Sequence, residues 1–340
     1  MGMSARPFPA TDWPSQTIDS DVNRPGLDAA LASITQRPTE EGQTHALLVV
    51  HRGSIVSEFY GEDVDKDSTL ISWSMAKSMT QALIGMAVGD GLLSVNDSHL
   101  LPQWESDARA NITLDDLLTM RSGLSWVEDY VDGDASDVIE MLFGESEYTG
   151  DHAGYAASKP LIHTPGSQYL YSSGTTNIIA RILANALGEP AGSHEVFERY
   201  LNTRLFDAIG MSSPLAKFDE AGTFVGSSFV YATARDFARF GYLYLNDGVW
   251  NGKRLLPEGW VQYAGRVIAH DSEMPLDYGA QWWVWPEDEG SIIAHGYEGQ
   301  IIWVSPRREL VVVHCGKTDA AFGAQLRSLV AELVGVFPIR

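Results

Sequence analysis

The first candidates for chemistry are a serine and a lysine three residues apart, Ser74 and Lys77, in the run SMAK. Residues at this spacing share one face of a helix, so the lysine amine can lie beside the serine hydroxyl. A serine is a weak nucleophile until a base takes its proton, and a lysine serves as that base when its surroundings lower its pKa. The S-x-x-K motif alone is weak evidence, because a chain of this length should contain it about once by chance.

The segment around Ser74 supports a catalytic interpretation. The loop DSTLISW leads into the apolar helical pattern MAKSMTQALIGMAVGDG, which places Ser74 at the start of a predicted helix. A helix N-terminus directs its dipole and its free N–H groups at such a residue. The backbone N–H of Ser74 is therefore predicted to be one oxyanion donor for an acyl-transfer reaction.

Several longer segments resemble one known family. SWSMAKSMTQALIGMAVGDGLLSVND resembles the nucleophile helix of the serine β-lactamase and penicillin-binding-protein superfamily, and TLDDLLTMRSGL resembles the segment that follows it in class C-like members. GSSFVYATARDFARFGYLYLNDGVWNGKRLLPEGWV is similar to a further segment of that family. The resemblance covers roughly residues 45 to 320, and it implies a serine hydrolase with Ser74 as nucleophile and Lys77 as its partner.

The same resemblance assigns a role to Tyr171 in TPGSQYLYSSGTT. Class C-like enzymes carry Pro-Gly followed by Tyr-Ser-Asn here, and their tyrosine works with the lysine as general base. A phenol titrates near pH 10, so Tyr171 can act as base only if nearby cations favour the phenolate or if Lys77 relays the proton. Ser173 stands where the family has Asn, which normally contacts substrate and lysine, so Ser173 is a candidate substrate-binding residue whose amide contact is missing.

A third segment, His295-Gly296-Tyr297 in AHGYEGQ, stands where β-lactamases and transpeptidases have the Lys-Thr-Gly strand. The resemblance makes His295 and Gly296 candidate substrate-binding residues, with the Tyr297 N–H as the second oxyanion donor, or the Glu298 N–H if the register slips. His295 could instead be an ordinary hydrogen-bonded strand histidine. An unperturbed histidine is mostly neutral at pH 7, so strong anchoring of a substrate carboxylate is not expected.

Within the superfamily, RSGLSWVEDY, TPGSQYLYSSGTTNIIA and GYEGQIIWVSP most resemble the 6-aminohexanoate-dimer hydrolases and related carboxylesterases. This resemblance implies cleavage of an ester or a linear amide through an acyl-enzyme on Ser74. Tyr130 is a candidate substrate-binding residue on a cleft loop, and equally a plain surface aromatic. Two alternatives remain open: a β-lactamase or DD-peptidase with the same chemistry, and a non-catalytic penicillin-binding-like sensor.

The hydrophobic periodicity predicts an α+β fold. β-rich runs lie near both ends of the chain, and helical patterns lie between them. We expect an antiparallel sheet flanked by N- and C-terminal helices, formed by residues 25–72 and 260–340 as a discontinuous α/β domain. Residues 73–259 would form an inserted, mainly helical domain, with the catalytic cleft between the two.

Composition narrows the partners. The 340 residues include 45 acidic and 23 basic ones, for a formal charge of −22, and such a surface repels phosphate backbones and anionic lipid. We therefore expect a small-molecule substrate and a monomer or homodimer, with no nucleic-acid or membrane partner. The single cysteine, Cys315, lies in an apolar run and fits a buried position in a reducing compartment, and no leader pattern opens the chain, so a cytoplasmic location is expected. Neither a metal motif nor a cofactor motif is present.

Overall fold

Strands from both ends of the chain form one antiparallel sheet. The structure is a computed structural model that describes residues 8–9, 12–129, 136–272 and 274–340. Its strands are β1 (Gly42–His51), β2 (Ser54–Tyr60), β3 (Leu70–Ile71), β4 (Leu215–Ala216), β5 (Val230–Ala232), β6 (Val249–Trp250), β7 (Lys253–Arg254), β8 (Ala269–Asp271), β9 (Leu276–Tyr278), β10 (Trp283–Val284), β11 (Ile292–Gly296), β12 (Gln300–Ser305) and β13 (Leu310–Thr318). The large sheet has eight strands in the order β2-β1-β13-β12-β11-β10-β9-β8.

The helices cover both faces of this sheet and fill the middle of the chain. They are α1 (Arg24–Thr35), α2 (Met75–Gly89), α3 (Leu114–Leu118), α4 (Asp137–Phe143), α5 (His152–Ala157), α6 (Ser173–Ala186), α7 (Glu195–Leu201), α8 (Ala234–Leu245), α9 (Trp260–Ala264) and α10 (Gly323–Gly335). A π-helical turn at Asn202–Phe206 follows α7, and a single 3₁₀ turn at Tyr297–Gly299 joins β11 to β12.

Local sequence explains the main boundaries. Arg52 and Gly53 both have positive φ, which is the geometry that closes a two-residue hairpin between β1 and β2. Thr113 caps α3 through a reciprocal pair of hydrogen bonds with Asp116, as the predicted short helix requires. The C-terminal helix predicted to flank the sheet is α10, Gly323–Gly335.

Side chains that alternate along the strands belong to two hydrophobic cores, one on each face of the large sheet. Val311, Val313 and Cys315 of β13 point toward the face that packs against α2 and α8. Leu310 and Val312 point toward the opposite face, which α1 and α10 cover. This is the period-two pattern of a sheet buried on both sides. It also confirms the prediction that Cys315 is a fully buried core residue.

The α+β architecture predicted from the sequence is confirmed, since the large sheet draws its strands from residues 42–60 and 269–318. The domain bounds 25–72 with 260–340, and 73–259, stay a prediction. YGAQWWVWP, one of the β-rich runs near the C-terminal end, is not a single strand, because Gln281 adopts φ 59° between β9 and β10. In the described ranges, no helix has both the length and the apolar character to cross a bilayer.

Candidate active site

The loop before α2 brings Ser74 to the helix start in a constrained backbone. Trp73 has φ 42°, a left-handed conformation that costs a residue with a Cβ on the order of 1 kcal/mol or more. The side chain of Ser72 holds this loop, since its Oγ donates to Ser228 O at 3.1 Å and accepts from Val230 N at 3.1 Å. Ser74 occupies the N-cap position, yet its hydroxyl makes no capping hydrogen bond, which leaves it available for chemistry.

The amine of Lys77 makes three short contacts inside the protein. Its Nζ lies 2.8 Å from Ser74 Oγ, 2.8 Å from Ser173 Oγ and 3.0 Å from Ser227 O. The lysine is only 1% exposed, so it is among the largest fully buried side chains of the described residues. The spacing in SMAK therefore produces the predicted contact between hydroxyl and amine.

Burial changes the acid–base behaviour of this lysine. Removal from water lowers the pKa of Lys77 to about 8, and the nearby negative charge of Glu128 opposes that shift. A neutral amine is therefore accessible near neutral pH, as a general base for Ser74 requires.

Tyr171 approaches the same serine from the loop before α6. Its hydroxyl lies close to Ser74, and Lys77 Nζ lies 4.9 Å from the centroid of its ring. Trp283 stacks on the ring at 5.3 Å between centroids, and Tyr278 meets it edge-on at 5.8 Å. The structure thus brings together the three side chains that the sequence selected.

The phenol of Tyr171 is uncharged at neutral pH. Burial raises its pKa well above the usual range, the charge of Glu128 raises it further, and the hydrogen bond with Ser74 only partly offsets both. Of the two routes open at the sequence level, a phenolate base is therefore disfavoured. A hydroxyl that passes the proton alongside Lys77 fits the site better.

The end of β11 lies against the loop before α2, residues 72–74, which we call the nucleophile loop after its predicted nucleophile Ser74. A Cβ on Gly296 would fall 2.4 Å from Ser72 O and 3.1 Å from Ser74 N, so only glycine fits there without a shift. Tyr297 follows directly, with 37% of its surface exposed. Glu298 is in the left-handed region at φ 58°. The Tyr297 N–H as second oxyanion donor stays a prediction, with Glu298 as the alternative.

His295 points away from this loop. Its Nε2 is shielded from solvent, and burial together with the charges of Arg327 and His314 lowers the pKa of His295 to about 3. Its cross-strand partner Ile301 belongs to the core under α1 and α10. The ring is thus neutral and on the sheet face opposite α2, where it adds no positive charge beside Ser74. A direct role in substrate binding stays a prediction.

Ser173 is fully buried between two charged groups. Its Oγ accepts from Lys77 Nζ and donates to Glu128 Oε1 at 2.5 Å, and its backbone N–H donates to Glu128 Oε2 at 2.8 Å. The hydroxyl is therefore engaged with Lys77 rather than facing the open cleft, and substrate contact stays a prediction. Glu128 was not predicted from the sequence, although it lies in the run VEDY that contains Tyr130. The available signal was an acidic residue two positions after Trp126, a tryptophan that the structure shows to be buried.

An aromatic rim, which we define as Trp73, Phe143, Phe229 and Tyr297, borders the nucleophile loop. The Trp73 ring centroid lies 5.7 Å from that of Phe229 and 5.9 Å from that of Tyr297, and Phe143 lies 6.5 Å from Phe229. Phe143 is 62% exposed. Tyr130, the other aromatic predicted here, lies outside the described residues. Across the described ranges, no group of three or more His, Cys, Asp or Glu side chains could hold a metal ion.

Comparison with known proteins gives consistent matches. A family model described as Beta-lactamase matches residues 33–332. The 6-aminohexanoate-dimer hydrolase of Paenarthrobacter ureafaciens is 25% identical over 319 residues, covering 88% of this chain and 79% of that protein. A Bacillus anthracis protein provisionally named 6-aminohexanoate-dimer hydrolase has a TM-score of 0.76 and 22% identity, covering 95% of this chain and 87% of its own. A class C β-lactamase from Rhodobacter sphaeroides has a TM-score of 0.66 and 17% identity, covering 91% of this chain and 98% of its own.

Proposed function

The chain belongs to the β-lactamase family, and from that premise we propose that it hydrolyses ester or linear amide bonds through an acyl-enzyme on Ser74. The observation that carries the proposal is the 2.8 Å contact between Lys77 Nζ and Ser74 Oγ, made by a fully buried amine whose pKa is lowered to about 8. A hydroxyl beside a neutral amine is an activated nucleophile.

In the first step, Ser74 Oγ attacks the carbonyl carbon while its proton moves to Lys77. The N–H of Ser74, with that of Tyr297, holds the negative oxygen of the tetrahedral intermediate. The intermediate collapses as the bond from carbon to the leaving group breaks. Tyr171, whose hydroxyl lies close to Ser74, passes a proton to the departing alcohol or amine and receives another from Lys77.

In the second step, water releases the acyl group. Neutral Lys77, with Tyr171, takes a proton from the water as its oxygen attacks the ester carbonyl of acyl-Ser74. The bond from that carbon to Ser74 Oγ then breaks, the serine regains its proton, and a carboxylic acid leaves. Each residue returns to its starting state, so the cycle needs neither metal nor cofactor.

The aromatic rim favours a substrate with an apolar portion next to the reacting carbonyl. Trp73 immediately precedes Ser74, and we infer that its ring borders the path of the substrate to the serine. The neutral state of His295 removes the cation that would anchor a carboxylate there. An ester, or a linear amide whose charged groups are remote from the scissile bond, fits these surroundings better than a β-lactam or a D-Ala-D-Ala peptide, both of which carry a carboxylate beside the scissile bond. The name of the Paenarthrobacter relative also points to a linear amide.

The proposal is tested with Ser74→Ala. We expect the wild-type protein to hydrolyse p-nitrophenyl esters and to gain one phosphonyl group with a fluorophosphonate, detected by intact mass. Ser74→Ala should lose both. Ser78→Ala is a matched control, because this buried hydroxyl lies on the same helix but donates to Gln281 O at 2.8 Å, away from the amine. Full ester turnover by Ser74→Ala would refute the assignment.

We also propose a cytoplasmic location and a monomer or homodimer. For the location, the support is the single buried thiol, Cys315, whose pKa burial raises to about 12, which suits a protein that relies on no disulfide. Size-exclusion chromatography with light scattering tests the oligomeric state, and a mass above that of a dimer would contradict the proposal.

A further inference from the structure

Glu128 is connected to the nucleophile through a continuous path of hydrogen bonds. Its carboxylate accepts hydrogen bonds from the Ser173 hydroxyl at 2.5 Å, from the Ser173 N–H at 2.8 Å and from the Trp126 Nε1–H at 2.6 Å. The Ser173 hydroxyl contacts Lys77 in turn, and Lys77 contacts Ser74. The path therefore runs from Glu128 through Ser173 and Lys77 to Ser74.

The direction of each hydrogen bond follows from whether each group can donate a hydrogen or only accept one. The carboxylate has no hydrogen, so the Ser173 hydroxyl must donate to it, and only an oxygen lone pair is left for Lys77. The carbonyl of Ser227 can only accept. Two N–H bonds of Lys77 are thus committed, one to Ser173 and one to Ser227. A neutral amine has only two N–H bonds, so the third position around Nζ is a lone pair, and this lone pair faces Ser74.

We propose that Glu128 is a positioning residue that orients the Ser173 hydroxyl so that the lone pair of neutral Lys77 faces Ser74. This role rests on the proposed function, in which Lys77 is the base. It also accounts for the serine at position 173, since a single hydroxyl can bridge the carboxylate and the amine at these distances. Among the described residues, the titratable groups that face the Lys77 amine are Glu128 and Tyr171.

Replacing the carboxylate by an amide should reverse this orientation. The Glu128 Oε2 position accepts from two N–H donors, Trp126 Nε1 and Ser173 N, so the oxygen of a glutamine must occupy it. The NH₂ group then faces Ser173 Oγ and donates to it. The Ser173 hydroxyl hydrogen is forced to turn toward the Lys77 lone pair, where it competes with Ser74.

The experiment is a double-mutant cycle of Glu128→Gln and Ser173→Ala, with kcat/KM measured on the alkaline plateau where Lys77 is neutral. Glu128→Gln should lower kcat/KM by about tenfold or more, with most of the change in kcat. In the Ser173→Ala background the same substitution should change kcat/KM by less than about threefold, because no hydroxyl is left to orient. Independent, multiplying effects of the two substitutions would overturn the proposal.

Two matched variants separate orientation from charge and from loop structure. Glu128→Asp keeps the negative charge but withdraws the oxygens, so the acid limb of the pH profile should stay in place while the plateau rate falls. Trp126→Phe removes one donor to the carboxylate without touching Ser173 or Lys77, so the acid limb and kcat should hold even if the melting temperature drops. A loss of kcat in Trp126→Phe equal to that in Glu128→Gln would indicate a merely structural role.

A readout that needs no turnover distinguishes this inference from the proposed function. In Ser74→Ala protein, ¹³C labelling of lysine, with the Lys77 signal assigned by Lys77→Met, reports the titration of the amine directly. Glu128→Gln should move its midpoint to lower pH, because an opposing negative charge is lost. An unchanged midpoint would contradict the electrostatic effect of Glu128 on Lys77, whereas retained ester turnover in Ser74→Ala would count against the proposed function.

Discussion

Gly296 lies so close to Ser72 that a methyl group on its Cα would come within 2.4 Å of the Ser72 carbonyl oxygen. The same position is 3.1 Å from the backbone nitrogen of Ser74. Strand β11 and the nucleophile loop are therefore in direct backbone contact. The absence of a side chain at one residue thus sets the distance between the predicted oxyanion donors.

Gly296→Ala should separate the strand from the nucleophile loop. A Cβ under 3.0 Å from backbone requires one segment to move, so we expect kcat/KM to fall by about a hundredfold, as when one oxyanion donor is lost. Ester kinetics and a thermal melt measure the effect. Gly335→Ala is the control, because its Cβ would meet nothing within 4 Å and the melting temperature should hold or rise. Wild-type activity in Gly296→Ala would show that the close approach is not required.

Activity should rise with pH through the titration of Lys77. The pKa of Lys77 is lowered to about 8, and only the neutral amine can take the serine proton. We therefore expect kcat/KM to increase about tenfold per pH unit below pH 8 and to level off above it. Initial rates with an uncharged ester between pH 6 and pH 10 test this. Lys77→Arg should abolish this rise of kcat/KM with pH and nearly all activity, since a guanidinium stays charged. A profile that is flat across this range would exclude Lys77 as the base.

Acid should unfold the protein partly through buried histidines. Burial lowers the pKa of His314 to about 4, and its neutral ring bonds Gly299 O at 2.7 Å and Thr44 Oγ1 at 3.0 Å. The unfolded chain binds this proton near pH 6.5 and the folded one only near pH 4, so stability is full above pH 6.5 and is lost as pH falls toward 4. The loss from this one residue is about 3 kcal/mol.

Urea unfolding of His314→Gln at pH 7 and pH 4.5 tests this dependence. The variant should be less stable than wild type at pH 7, yet lose less free energy of unfolding on acidification. His99→Gln is the control, since that side chain is 60% exposed and should leave the pH dependence as it is. An identical acid loss in wild type and His314→Gln would rule out the linkage.

The aromatic rim should select apolar substrates. The Phe229 ring packs beside that of Trp73, the residue directly before the proposed nucleophile Ser74. Phe229→Ala should lower kcat/KM for a hexanoyl or benzoyl ester by about tenfold, and for an acetyl ester much less, because only the larger groups reach the rim. Leu92→Ala, at an exposed position distant in sequence, is the matched control. Equal losses for short and long acyl groups would show that Phe229 does not contact the substrate.

Substitution of the strand histidine offers a check on substrate charge. With His295 neutral and turned toward α10, we expect nitrocefin hydrolysis to be slower than ester hydrolysis by orders of magnitude. Comparison of kcat/KM for the two substrates measures this. His295→Asn should leave ester turnover within about threefold of wild type, since the ring is on the far face of the sheet. Efficient nitrocefin turnover would favour the β-lactamase alternative.

The sequence by itself determined the local features of this protein. The three-residue spacing of Ser74 and Lys77 puts both on one helix face and so allows the contact that the structure shows, because helix geometry is fixed by local hydrogen bonds. The β-rich runs likewise predicted the strands at both ends of the chain, and the apolar run around Cys315 predicted its buried position. The resemblance of the segment around Tyr171 predicted a tyrosine near the serine, where the structure places it.

The tertiary structure alone decided which distant groups complete the site. Glu128 meets Ser173 across 45 positions, and the Ser227 carbonyl meets Lys77 across 150, so no local period encodes either contact. The side of the sheet that His295 faces depended on the register of β11 against its neighbours, because a shift of one residue reverses every side chain. Burial of Lys77, and with it the lowered pKa, likewise exists only once the whole chain has packed around the amine.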